Sequence, residues 1–106
     1  MEAAVDFISG NLDSGNYEAL LNQLGKSERH ITRDPSYPDY FQKFVFSQLQ
    51  DRHSKLDLRL LYSKRSFPKE QQTYKLGGHM QELGCIHIDF LRGEQGWVIS
   101  DIWICR

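Results

Sequence analysis

Charge of one sign, cysteine and long apolar runs are all scarce in this chain, and each scarcity argues against a class of function. Thirteen Lys and Arg stand against fourteen Asp and Glu, a formal net charge of −1. Phosphate contacts need a surplus of Lys and Arg on one face, so nucleic-acid binding is not expected as the main role. The densest basic stretch carries Arg59, Lys64, Arg65 and Lys69 and reads as the solvated edge of a hairpin. The two cysteines, Cys85 and Cys105, make neither a disulfide framework nor a Cys-x-x-Cys pair, which leaves the redox compartment open. No apolar run approaches transmembrane length, so no membrane insertion is expected. The opening residues, Met-Glu-Ala-Ala-Val-Asp, lack the basic start and apolar core of a signal peptide. The expected setting is soluble: cytoplasmic, or a secreted domain whose leader has been removed.

Chemical motifs are scarce as well. The chain has no His-x-x-x-His, no Gly-rich phosphate loop and no Gly-x-Ser-x-Gly elbow. His53 and His79 fall in apparent loops with no partner at ligand spacing. No metal and no cofactor are therefore expected. There is also no internal repeat, low-complexity tract or linker.

What is present is the material of one folded unit. A chain of 106 residues, 40% hydrophobic and 25% charged, fits a single domain over 1–106 with a core that needs no disulfide. Two Trp, five Tyr and six Phe can fill a core or wall a pocket.

The apolar spacing sets the elements. Ala4, Val5 and Ile8 predict a first helix over Glu2 to Ile8, and the polar run Asn11 to Asn16 breaks it. Asn16 is a good N-cap for a second helix, Tyr17 to Leu24, with Tyr17, Leu20, Leu21 and Leu24 on one stripe and Gly25 closing it. After a polar loop from Lys26 to Pro35, Ser36 caps a third helix running to about Leu49. Its expected buried face is Tyr37, Tyr40, Phe41, Phe44, Val45 and Leu49, with Phe46 off that face. Gln50 to Ser54 reads as a polar exit. The period then changes to two. Leu56, Leu58, Leu60 and Tyr62 alternate as a first strand, and Ser66-Phe67-Pro68 marks a turn. Gln71 to Leu76, Leu83 to Leu91 and Trp97 to Cys105 are three further strands. Gly77-Gly78 ends or bulges the second, and Arg92 to Gly96 forms the last hairpin loop. The expected class is α+β: three N-terminal helices packed on one face of a curved four-stranded antiparallel meander.

This order and the ending Gly96-Trp97-Val98-Ile99-Ser100-Asp101-Ile102-Trp103 resemble the nuclear transport factor 2-like superfamily. Members often end on Gly-Trp-aliphatic-Ile-x-Asp-aliphatic. The opening is similar too, an apolar helix and then Asp13-Ser14-Gly15-Asn16-Tyr17. The resemblance implies a cone-like α+β fold. The superfamily includes isomerases, dehydratases, cyclases, transport factors and accessory domains, so it implies no single activity.

Candidate chemistry gathers on the last two strands. Cys85, His87, Asp89 and Leu91 share one face of their strand, and Ile86, Ile88 and Phe90 share the other. Trp97, Ile99, Asp101, Trp103 and Cys105 alternate with Val98, Ser100, Ile102 and Ile104. If Leu91 pairs with Trp97, His87 lies opposite Asp101. If the loop is two residues tighter, Leu91 pairs with Ile99, Asp89 faces Asp101 and Cys85 faces Cys105. Sequence leaves the register open. A carboxylate beside an imidazole fixes its tautomer, as a general acid/base pair needs, and it also occurs as a plain cross-strand ion pair. His87, Asp101 and Asp89 are thus the catalytic candidates. Tyr37, Tyr40, Phe44, Trp97 and Trp103 are the candidate lining of a pocket for a small apolar ligand. His30, Tyr37, Asp39 and Tyr40 cluster near the start of the third helix. The alternative reading there is core filling by Tyr40, a helix-terminus charge at Asp39 and a solvated His30.

Two functions follow as expectations. The first is a non-catalytic interaction or dimerisation module, possibly an accessory domain of a larger or secreted protein. Its partner would be a second copy or another protein. Strict alternation makes the last strand apolar on both faces, and three short helices cover only one. Ile86, Ile88, Val98, Ile102 and Ile104 would then form the dimer face. The second is a lyase- or isomerase-type enzyme using the His/Asp pair in the cone pocket.

Overall fold

The computed structural model describes residues 1–25, 35–64, 72–78, 86–94 and 96–104. It is α+β, with helices preceding a three-stranded antiparallel sheet of order β1-β2-β3 among the described residues. His30, His79, Cys85, Cys105 and the turn Ser66-Phe67-Pro68 lie outside them.

Helix α1 spans Glu2–Ser14. It runs past the expected end because Leu12 carries the buried row Ala4, Val5, Ile8 one turn further. Asn11 stays helical with its side chain donating to the Phe7 carbonyl at 2.7 Å. Gly15 ends the helix at φ 75°, the left-handed region that favours glycine. Helix α2, Tyr17–Gly25, begins as the sequence predicts: Asn16 Oδ1 accepts the Ala19 N–H at 3.3 Å.

Residues 37–55 form one continuous helical run, α3, with a change of pitch inside it. An α-helical turn (Tyr37–Tyr40) passes into a π-helical segment (Phe41–Phe46) and then into α-helix (Ser47–Lys55). The predicted face of this helix needs correction. Tyr37, Phe41, Val45, Phe46, Leu49 and His53 are buried, while Tyr40 and Phe44 are 42% and 54% exposed. The π segment is the physical reason. Its wider turn keeps residues 37, 41 and 45 in one row at a spacing of four and rolls Phe46 inward and Phe44 outward. The helix also continues through the expected polar exit, because His53 extends the buried row by one turn.

The segment Leu56 to Tyr62 is not the expected strand. Asp57 caps a short helix α4, Leu58–Ser63, by accepting the Arg59 N–H at 2.8 Å. Leu58 and Leu61, three apart, are buried, and Leu60 is 49% exposed. A leucine-rich hexamer satisfies both periods, and the cap decides between them.

Strands β1 (Thr73–Gly78), β2 (Ile86–Gly93) and β3 (Gly96–Ile104) form a meander. Gly77 and Gly78 sit inside β1, opposite His87 and Ile86. The last hairpin is tighter than expected, with Arg92 paired to Trp97 and Gly93 to Gly96. Gly96 supports the turn at φ 116°. A β-bulge then inserts Ser100: Phe90 pairs with Ile99, but Asp89 pairs with Asp101. Ser100 donates its hydroxyl to the Asp89 carbonyl at 3.1 Å.

The bulge changes which residues share a face. Ile99 sits on the helix side on the turn-proximal half of β3, and Ile102 on the other half. The apolar appearance of both faces came from running strict alternation through Ser100. Ile86, Ile88, Phe90, Ile99 and Ile102 join Val5, Ile8, Leu20, Leu24, Phe41 and Leu49 in one core under the helices. α1, α2 and the π segment pack on β3, and α4 packs on α1. Gln23 of α2 covers part of the β3 edge, its Oε1 accepting the Ile99 N–H at 3.0 Å. No helix among the described residues is long and apolar enough to cross a membrane.

Candidate functional site

Among the described residues, two polar regions bring together side chains that could carry chemistry. The first is the sheet face turned away from the core. There β2 presents His87 and Asp89, and β3 presents Asp101 and Trp103. The register that would set His87 against Asp101 is not adopted. His87 pairs with Trp103 and Asp89 with Asp101. Beyond the bulge this is the tighter of the two expected registers.

Trp103 organises this cluster. Its ring lies parallel to the His87 imidazole with centroids 3.7 Å apart, and its Nε1–H donates to Asp89 Oδ2 at 3.1 Å. Asp89 is buried, and its Oδ1 has no hydrogen-bond partner among the described residues. Such a carboxylate oxygen is costly to bury. Asp101 is half-buried. Its charge reaches Tyr37 at the start of α3, whose phenol is pushed up to about 12. Burial is the main cause, the Asp101 carboxylate the next and Tyr40 the third. The catalytic candidates are therefore neighbours, but the indole holds Asp89 and stacks on His87. Such a set can orient an imidazole and hold a carboxylate in a desolvated place.

Among the described residues, the pocket candidates stand in different surroundings. Tyr37 is in the core against Phe41, and Trp97 packs at the core margin with the Arg92 guanidinium 4.8 Å from its ring centroid. Tyr40 and Phe44 stack on each other at the surface, with centroids 5.4 Å apart. They form an aromatic ridge on the outward side of the π segment. Asp39 and Lys43 lie beside the ridge and pair at 3.2 Å. Of the expected dimer face, Val98 is 40% exposed, whereas Ile86, Ile88 and Ile102 turn inward and are buried. The bulge and the helix layer explain this correction.

The second region was missed at the sequence level. At the junction of α1, α3 and α4, buried His53 accepts the Leu58 N–H on Nδ1 at 3.1 Å. Its Nε2 therefore carries the proton and donates to Asp13 Oδ1 at 2.8 Å. Gln50 Nε2 donates to the Leu12 carbonyl at 2.9 Å. Arg59 meets Asp6 at 3.1 Å, Asp57 at 3.4 Å and Asp13 at 3.6 Å. Desolvation would lower the Arg59 pKa, but the hydrogen bond to Asp6 and the charges of Asp57, Asp13 and Asp6 raise it. A cleft of about 190 Å³ opens beside this network, lined by Glu2, Val5, Asp6, Arg59, Tyr62 and Ser63. Extending the row Val45, Leu49 by four more residues would have placed His53 in the core. Its partner Asp13, forty positions away, carries no local signal. Among the described residues, no group of three or more His, Cys, Asp or Glu is placed to hold a metal ion.

Comparison with known proteins finds no matching family model, curated protein or solved structure.

Proposed function

We propose that this chain is a non-catalytic protein-interaction module, of the nuclear transport factor 2-like kind that its helices-then-meander order resembles. The observation that carries the reading is the Tyr40–Phe44 ridge. Two stacked aromatics stand exposed on a helix whose other side is firmly buried. Large rigid aromatics are the side chains that interfaces concentrate at their anchors. Some of the polar groups that could do chemistry support the same reading through what they already hold. Both His53 nitrogens are engaged, Asp89 accepts from Trp103, and His87 lies flat against the same indole. The cleft beside Arg59, about 190 Å³, is by itself smaller than the usual small-molecule pocket of roughly 300–1,000 Å³.

Photo-crosslinking in the producing cell tests this. A benzoylphenylalanine introduced at Phe44 should give a discrete protein adduct, whereas the same group at exposed Glu18 of α2 should not. Equal yields at the two positions, or no adduct at Phe44, would count against the reading.

A further inference from the structure

We infer that the partner on the Tyr40–Phe44 ridge is a second copy of this chain, bound antiparallel along α3. The inference rests on the interaction-module reading and adds the identity and geometry of the partner. It comes from the charges beside the ridge. Asp39 and Lys43 stand in one column next to the column of Tyr40 and Phe44, four residues apart and about two-thirds exposed. One column therefore carries both signs in a fixed order along the helix.

A two-fold axis perpendicular to α3 near Phe41 sets this column against its own reversed copy. Asp39 of each chain then faces Lys43 of the other, and the contact is made twice. A parallel two-fold would carry the two charged columns to opposite flanks of the ridge, where they do not face each other and neither ion pair forms. The contact is isologous, so it closes as a dimer instead of growing into a fibre. The same axis places the two Tyr40 rings at the centre and the Phe44 rings on either side. The ridges interlock, with the aromatic anchors in the middle and the ion pairs at the rim. Stable interfaces are ordered in this way. Each Asp39–Lys43 pair within a helix is given up for one between helices, so charge sets the orientation while the rings supply the affinity. Two aromatics on each side make a small interface, and a reversible dimer is expected.

Sedimentation velocity of the full chain up to about 1 mM, where even weak association is visible, reads the result. The chain should show a monomer–dimer equilibrium. Phe44→Asp should abolish the dimer. Asp39→Lys should weaken it by placing like charges in the facing column. The double swap Asp39→Lys with Lys43→Asp should restore it, because opposite signs face each other again. These side chains are exposed, and circular dichroism verifies that each variant is folded. A wild-type chain that stays monomeric overturns the inference. So does a dimer that survives Phe44→Asp, or a double swap no tighter than the single reversal. A monomer that still crosslinks to a different protein at Phe44 sinks the second-copy inference and leaves the module reading standing. A monomer with no adduct sinks both.

Discussion

At the scale of single residues, His53 joins three helices through its two ring nitrogens. It ties the end of α1, through Asp13, to the first N–H of α4. That amide sits in a buried environment, where an unmade hydrogen bond costs about 1–3 kcal/mol. His53→Ala removes the acceptor and opens a cavity between three helices, so it should lower stability by about 3 kcal/mol. Asp13→Ala removes an exposed carboxylate shared by His53 and Arg59 and should cost about 1 kcal/mol. Urea denaturation of the two variants provides the check. Equal losses would mean that the Leu58 bond contributes nothing. Trp103 has a comparable place on the sheet, where one indole serves both His87 and Asp89. The sequence shows these three residue types, but only the register brings them together.

Whole elements show how far the sequence could be read. The α+β class, the α2 cap at Asn16 and the β2–β3 hairpin were legible, because each depends on contacts close in sequence. Three features were not. The hexamer Leu58 to Ser63 fits both a strand and a helix, and the Asp57 cap outweighs the alternation. The π segment in α3 has no mark in composition, yet it decides that Tyr40 and Phe44 face outward. The Ser100 bulge inverts the faces of half a strand, and no periodicity argument anticipates one inserted residue. The candidate site was legible only as two alternative registers, and the insertion puts its half of the hairpin in the tighter one. The bulge has a direct test by deletion. Removing Ser100 leaves every other β3 residue with its present partner on β2 and its present face. That variant should fold, less stably for want of the Ser100–Asp89 bond. Removing Ile102 instead would turn Trp103 inward and carry the following residue outward, and it should fail to fold. Near-ultraviolet circular dichroism distinguishes the two. Loss of structure in both variants would mean that the bulge itself is required, not merely accommodated.

For the whole molecule, stability links the helix layer to the sheet, and Tyr37 reports on that link. Its ring is buried against Phe41, and the charge of Asp101 on β3 reaches its phenol. An unfolded tyrosine ionises near pH 10, whereas Tyr37 in the fold is held neutral to about 12. Between those values the unfolded chain gives up the proton first. The Tyr37 contribution is therefore fully present below about pH 10 and is lost as pH rises towards about 12. Tyr62, also raised by burial and by its neighbours Tyr74 and Glu2, acts in the same direction. Tyr37→Phe removes the largest of these titrations. Compared across this pH range, its urea midpoint should fall less steeply than that of the unmodified chain. Ultraviolet absorbance should show the late-ionising phenol disappearing in the same variant. If the two midpoints fall in parallel, Tyr37 is solvated in the folded state, and the packing of α3 against β3 is looser than described.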